Sequence, residues 1–380
     1  MPPLPPNVSK AGLLRSISGW NNSSLSRRSG TTVGLLSTRT PHSSGNSGGG
    51  IPNPSLGIGV TRLAMPRNAA GTWAPVSLSG TPDPLWIMGG FSSAAAARST
   101  RTPGGSWNQI TALPTPAGSF TVAVDRSRGY WVVVLGSATP SDSYASADGV
   151  SWTPIDIQEP GSPLMYDIAV DTRTGRWVVV GISGQATTTT DPFGTWASIS
   201  TSVGSNTLYG VAVHESTGRW VTVGDSTDAR TTTNPTGGTW ATVSLFASDT
   251  GLSVAVDQQT GLWVATGTNG SIATTTNPAI SWTERTALGP EHVNGVAVDS
   301  GTGRWVVVQD NGEVRTTLDP TGTWTNMSSQ FGSADLNAVS VSSNGEWVIV
   351  GDNVLYSSPD GLVWTLNSGS FGLLEDVAAL

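Results

Sequence analysis

The chain has 380 residues, a formal net charge of -8, 12% charged residues, 47 glycines and no cysteine. The lack of cysteine removes any disulfide framework or thiolate metal site, and no apolar run reaches the length of a membrane span. The charge is unevenly divided: residues 1–82 hold seven basic side chains and no acidic one, which leaves the remainder at -15.

Residues 1–60 are expected to form an extended basic arm. They begin MPPLPP and run through SRRSG, PHSSGNSGGG and IPNPS, a composition that cannot bury a core. Two fragments look alike, AGLLRSIS at 11–18 and VGLLSTRT at 33–40. The arm's candidate partner-binding residues are its apolar anchors and cations: Lys10, Leu13, Leu14, Arg15, Trp20, Arg27, Arg28, Leu35, Leu36 and Arg39. Two similar anchors on one tether suit equivalent pockets of a symmetric partner. The first 30 residues lack the apolar core of a signal peptide, so no export signal is expected. Residues 61–83 read as a linker or an extra strand, since GTWAPVSLSG at 71–80 resembles the last strand of a repeat that has no beginning.

From residue 84 a tryptophan pair recurs seven times. Its first members, Trp86, Trp131, Trp177, Trp220, Trp263, Trp305 and Trp347, are spaced by 42 to 46 residues and open apolar runs such as GRWVVVG. Its second members are Trp107, Trp152, Trp196, Trp240, Trp282, Trp324 and Trp364. A fixed period of this length, read as one four-stranded antiparallel sheet per repeat, predicts an all-β, seven-bladed β-propeller over 84–380. Within residues 166–196 the alternation places strands at 167–171, 176–181, 185–190 and from 195 onward.

Strands one and two are joined by a tight turn ending in Gly: Asp171–Gly175, His214–Gly218, Asp257–Gly261 and Asp299–Gly303. Glycine there can take the positive φ that closes the hairpin, and the leading Asp can bond its own turn amides. Arg176, Arg219 and Arg304 follow at one repeated position and are expected to pair with the neighbouring turn Asp.

Strands three and four are joined by SADGVSW at 146–152 and SSPDGLVW at 357–364, with looser copies TDPFGTW, TNPTGGTW, TNPAISW and LDPTGTW. This pattern resembles the Asp-box, or BNR repeat. The resemblance implies structural roles for Asp148, Asp191, Asn234, Asn277, Asp319 and Asp360, and the blade tryptophans are expected to fill the space between adjacent blades.

The last ten residues, FGLLEDVAAL, read as the start of an eighth repeat, because LLEDVAAL aligns with LNAVSVS at 336–342. Trp73 and Trp86 are only 13 residues apart, where the other intervals from a second Trp to the next first Trp run from 23 to 25. The first blade thus lacks a strand, and the segment near Asp376–Leu380 is expected to supply it, removing two exposed sheet edges.

Resemblance to Asp-box sialidases implies three arginines for a substrate carboxylate, a Tyr with a Glu partner, and an Arg-Ile-Pro motif. No Arg-Ile-Pro occurs, and Tyr130, Tyr144, Tyr166, Tyr209 and Tyr356 show no evident pairing with the few glutamates. His42, His214 and His292 have no metal-ligand spacing. No phosphate-binding or dinucleotide motif occurs, so no cofactor, metal or enzymatic activity is expected. The combination of disc and arm resembles propeller-bearing phage virion proteins. It implies a non-enzymatic structural protein of a phage particle, a head decoration or tail-associated subunit located in the virion. Its expected partners are other virion proteins, capsid or tail, through residues 1–60. A host-surface glycan or receptor is expected at loops 136–146, 224–230 and 309–314, opposite the Asp-boxes. Neither a membrane nor nucleic acid is expected. The alternatives are a cellular scaffold, resembling the Asp-box propellers that assist photosystem II assembly, and a glycan-binding or glycoside-hydrolysing propeller whose carboxylates converge in a central depression.

Overall fold

A computed structural model describes residues 85–380 except 91–95, 115–118, 137–142, 158–163, 202, 226 and 238. The arm, with all ten of its candidate residues, and the segment 61–83 lie outside the described residues. The chain divides into units Met1–Gly80 and Thr81–Leu380, the second of which is the propeller.

Seven four-stranded antiparallel sheets follow one another along this unit. Blade 3 shows the plan, with strands Met165–Asp171, Arg176–Gly181, Gln185–Thr189 and Ala197–Ser200. All four strands expected from the sequence are present, the first beginning two residues earlier, the third ending one residue earlier and the fourth beginning two residues later. The inner strands of blades 2 to 7 are Ser119–Asp125, Met165–Asp171, Leu208–His214, Gly251–Val256, Val293–Asp299 and Leu336–Val341. Each contacts the next around a closed ring.

Blade 1 is completed from the far end of the chain. Leu374–Ala379 pairs antiparallel with Trp86–Gly90, in the register Trp86 to Ala379 and Met88 to Val377, and serves as the inner strand. The Leu380 amide adds a bond to the Leu85 carbonyl at 2.9 Å. The missing strand inferred from the short Trp73–Trp86 interval is therefore this one.

The second strand of each blade is continuously apolar because both of its faces are covered by neighbouring blades. Trp177, Val178, Val179 and Val180 are all fully buried. Val132 and Val134 of blade 2 pack with Trp177 and Trp196 of blade 3, while Val178 and Val180 pack with Trp220 and Trp240 of blade 4. All seven first-member tryptophans are at most 2% exposed, so each seam between blades is closed by an indole.

The turns follow local chemistry. Gly175, Gly218, Gly261 and Gly303 all have φ between 64° and 73°. The arginine pairing differs from the sequence expectation. Arg176 and Arg304 donate to the strand-three hydroxyls of Thr188 and Thr316, each at 3.3 Å, not to the turn aspartates. Asp171 and Asp299 are already engaged by the hydroxyls of Thr174 at 2.7 Å and Thr302 at 2.6 Å, donors held three residues away by the turn itself. Ion pairs to these aspartates come from within the turn instead, Arg128 to Asp125 at 2.6 Å and Arg173 to Asp171 at 3.5 Å.

In the connections between strands three and four, Asp148, Asp191, Asn234, Asn277, Asp319 and Asp360 each accept the backbone amide two residues ahead. Asp148 and Asp360 also accept the amide three residues ahead, and the Ser146 and Ser358 hydroxyls accept the amides of Gly149 and Gly361. Among the described residues no helix is long and apolar enough to cross a membrane.

Candidate functional site

Where the seven inner strands begin, they surround a depression of about 500 Å³ on the propeller axis. Strand two runs back to the level at which strand one starts, as in the Leu208 to Gly224 pairing, so the depression opens on the face that carries the connections between strands two and three. The turns holding the six Asx residues lie at the other face. The connection at 309–314 is a tight turn over Asp310–Gly312 rather than an extended loop. Residues 137–142 and 226 of the other two expected contact loops lie outside the described residues.

The second residue of each inner strand lines the mouth: Glu375, Phe120, Tyr166, Tyr209, Leu252, Asn294 and Asn337, in order around the ring. Tyr166 and Tyr209 pack against each other with ring centroids 5.2 Å apart and planes tilted by 53°. The third residues of five strands also line the wall, and two of them, Asp167 and Asp376, are acidic. No lysine, arginine or histidine does so among the described residues.

These polar side chains solve a problem of the architecture. An inner strand has one hydrogen-bonded edge and one free edge, and the free amides need partners. Asp376 accepts the Val122 amide at 2.9 Å and the Thr121 hydroxyl at 3.0 Å, while Glu375 accepts the Phe120 amide at 2.6 Å, so blade 1 is tied to blade 2. Asp167 accepts the Val211 amide at 2.7 Å, tying blade 3 to blade 4. Asn294 and Asn337 donate to the carbonyls of Leu336 and Leu374, at 3.0 and 2.7 Å.

Burial pushes all three carboxyls upward: Asp167 to about 8, with Asp376 adding to the effect, Glu375 to about 7 and Asp376 to about 6. The amide bonds to the charged forms pull in the opposite direction. The Tyr166 phenol is raised by burial and by the negative charges of Asp225 and Glu375. The Tyr209 phenol is raised by burial and by Asp225, to which it is hydrogen-bonded.

The structure thus places Glu375 within electrostatic reach of Tyr166, a proximity that sequence inspection of the tyrosines did not reveal. The pairing lacks the arginines of a sialidase site, and the raised phenol resists ionisation. Among the described residues no three His, Cys, Asp or Glu side chains are grouped to hold a metal.

The opposite end of the inner strands is lined differently. Arg126 donates to the Val341 carbonyl of blade 7 at 2.7 Å and to the Ala379 carbonyl of blade 1 at 3.1 Å. Its counterparts form a chain around the ring: Thr172 donates to Glu215, the Glu215 amide to Gln258, and the Gln258 amide to Ser300. This end also holds a cavity of about 500 Å³, lined by Arg126, Gln258, Asp299 and Ser300, so the two ends differ in their lining and not in the space they leave.

None of the sequence-derived site residues lies in the depression. The Asx residues hold turns at the other face, the seven tryptophans are interior, and the arm candidates are outside the described residues. The missed residues carried one readable signal: the second position of the inner-strand repeat changes from copy to copy, whereas the fourth is always Val or Ile.

No protein-family profile matches the chain, and no curated protein sequence matches it. The fold is similar to several solved propellers. YCF48 from Cyanidioschyzon merolae aligns with a TM-score of 0.53 at 18% identity, covering 71% of this chain and 90% of that one. A protein from Lactobacillus plantarum aligns with a TM-score of 0.60 at 12% identity, covering 78% and 99%. Virginiamycin B lyase from Staphylococcus aureus aligns with a TM-score of 0.57 at 11% identity, covering 66% and 84%. At these identities the likeness is one of fold alone.

Proposed function

We propose that this chain is a non-enzymatic structural protein of a phage particle, a head decoration or tail-associated subunit anchored by residues 1–60, with the propeller displayed for stabilisation or host-surface attachment. We read the turns between strands three and four as Asp-boxes of the BNR type. The observation that carries the reading is the charge division: residues 1–82 hold seven basic residues, five of them in the arm, and no acidic one, and they precede a portion of the chain at -15. Such polarity suits two parts with different partners. The depression is in keeping with the non-enzymatic half of the reading, because each of its described carboxylates is bonded to a backbone amide. Capsid or tail proteins are the proposed partners of the arm, and a host-surface glycan or receptor that of the disc.

The test is a pull-down from native particles with the full chain and with a variant lacking residues 1–60. A coat or tail protein retained only by the full chain supports the reading. Equal capture by both proteins overturns it, making the disc the binding module and favouring a cellular scaffold.

A further inference from the structure

The ties between blades account for only part of the lining of the depression. All seven inner strands occupy equivalent places in the ring, and at the fourth position they carry Val or Ile without exception. At the second position the same seven places hold Glu, Phe, Tyr, Tyr, Leu, Asn and Asn. The ties to the next blade account for Glu375, Asn294 and Asn337, and none of those ties calls for Tyr166 or Tyr209. The acidic and aromatic members are also gathered, since Glu375, Phe120, Tyr166 and Tyr209 belong to consecutive blades 1 to 4.

We propose that this arc binds the cationic end of an arginine or lysine side chain presented by a peptide, with Glu375 supplying the charge and Tyr166 and Tyr209 the aromatic wall. The proposal goes beyond the anchoring role of the arm and does not depend on it.

Three observations favour a cation over a neutral ligand. The depression is lined by Asp167, Glu375 and Asp376 with no cation among the described lining residues, and such a walled cleft of one sign concentrates the opposite charge. Only Oε2 of Glu375 is taken by an amide, and its Oε1 has no hydrogen-bond partner among the described residues. The tyrosine pair is half-buried and lines the mouth, and a guanidinium or ammonium is attracted to aromatic rings.

The groups facing this position are Glu375 and Asp376 from blade 1, Asp167 and Tyr166 from blade 3, and Tyr209 and Asp225 from blade 4. Asp310 and Asp352 bond the Asn294 and Asn337 amides at the opposite rim. Because the carboxyls are partly protonated near neutrality, an arriving cation displaces protons from them. A neutral sugar does not.

The experiment is calorimetric titration of the full chain with acetyl-Gly-Arg-Gly-amide and acetyl-Gly-Lys-Gly-amide at low salt and about pH 7.5, in two buffers of different ionisation enthalpy. The controls are the isosteric citrulline peptide and lactose. Saturable binding with proton release is expected, with the citrulline peptide weaker by about tenfold or more. E375Q keeps an oxygen for the Phe120 amide while removing the charge, and Y209L removes the ring. Each should weaken binding by about fivefold or more, while Y209F retains it. Y209L leaves every carboxylate-to-amide tie in place and so carries the test should E375Q melt early. The proposal is overturned by no saturable binding of either cationic peptide below about 10 mM, by equal affinity for the citrulline peptide, by indifference to both substitutions, or by lactose binding in place of the peptides.

Discussion

The Oδ2 atom of Asp376 accepts the backbone amide of Val122 at 2.9 Å, so a residue four positions before Leu380 holds the inner strand of the second blade. The strand that carries Asp376, Leu374–Ala379, pairs with Trp86–Gly90 on its other side. Closure is thus made twice, once by a backbone ladder within blade 1 and once by side chains reaching across the seam to blade 2.

Removing residues 371–380 should therefore do more than shorten the chain. It strips the partner from Trp86–Gly90 and withdraws the buried Phe371, Leu374 and Val377. Three side chains of this kind are worth about 5 kcal/mol or more together, comparable with the whole net stability of a domain. The truncated protein should aggregate on expression, and light scattering with a thermal melt checks it. A soluble product with an unchanged melting temperature refutes two-way closure.

The carboxyls at the axis predict an uncommon pH profile. Asp167, Glu375 and Asp376 have folded-state values of about 8, 7 and 6, above the roughly 4 of an unfolded chain. A group raised in this way favours folding fully below its unfolded value, and that contribution is lost as pH climbs through the folded value. Melting temperature should fall from about pH 5 to pH 8.5. Acidification below about pH 4 should also lower it, because the Ser151 and Val150 amides hold Asp148 at about 2. D376N and D167N should flatten the alkaline limb even where they lower stability overall. A melting temperature that rises steadily from pH 5 to 8.5 contradicts the assignment.

The tryptophan seams allow a graded comparison. Trp177 is fully buried against Val132 and Val134 of the neighbouring blade, whereas Trp152 is only half-buried. Trp177→Ala should cost about 3–5 kcal/mol, within the range for large aromatics truncated in a packed core. Trp152→Ala should cost less than half as much. Urea denaturation of the two variants measures both, and equal losses would show that the first tryptophan of the pair has no special place.

The fold was legible because its determinants are local and repeated. Blade 3 could be placed strand by strand from alternation, and closure followed from one short interval, Trp73 to Trp86. The depression was not legible because its chemistry is assembled across repeats. Tyr166 and Tyr209 lie 43 residues apart in sequence, and Glu375 lies 166 beyond Tyr209, yet all three meet at one mouth. Nothing within a single repeat distinguishes Glu375 from an exposed strand residue. The arginine partners were missed for a related reason. Arg176 follows its turn Asp closely in sequence, but the Thr174 hydroxyl reaches that carboxylate from within the turn.

The chain's own repeats provide a control for the turn between strands three and four. Asp148 Oδ1 accepts the Val150 and Ser151 amides at 2.8 and 2.7 Å, and a single amide oxygen can do the same. Asn234 and Asn277 already hold the corresponding turns of blades 4 and 5. Asp148→Asn should therefore be nearly neutral at about pH 7, whereas Asp148→Ala should cost about 1 kcal/mol, the net worth of such bonds at an exposed turn. Gly149→Ala should be the most damaging of the three. Its φ of 71° disfavours any side chain, and a Cβ there would stand 2.2 Å from the buried Leu85 Cδ2. The order Asn, then Ala at 148, then Ala at 149 can be read from chemical denaturation midpoints. If Asp148→Asn is as costly as Asp148→Ala, the negative charge stabilises the turn and the hydrogen-bond geometry does not suffice.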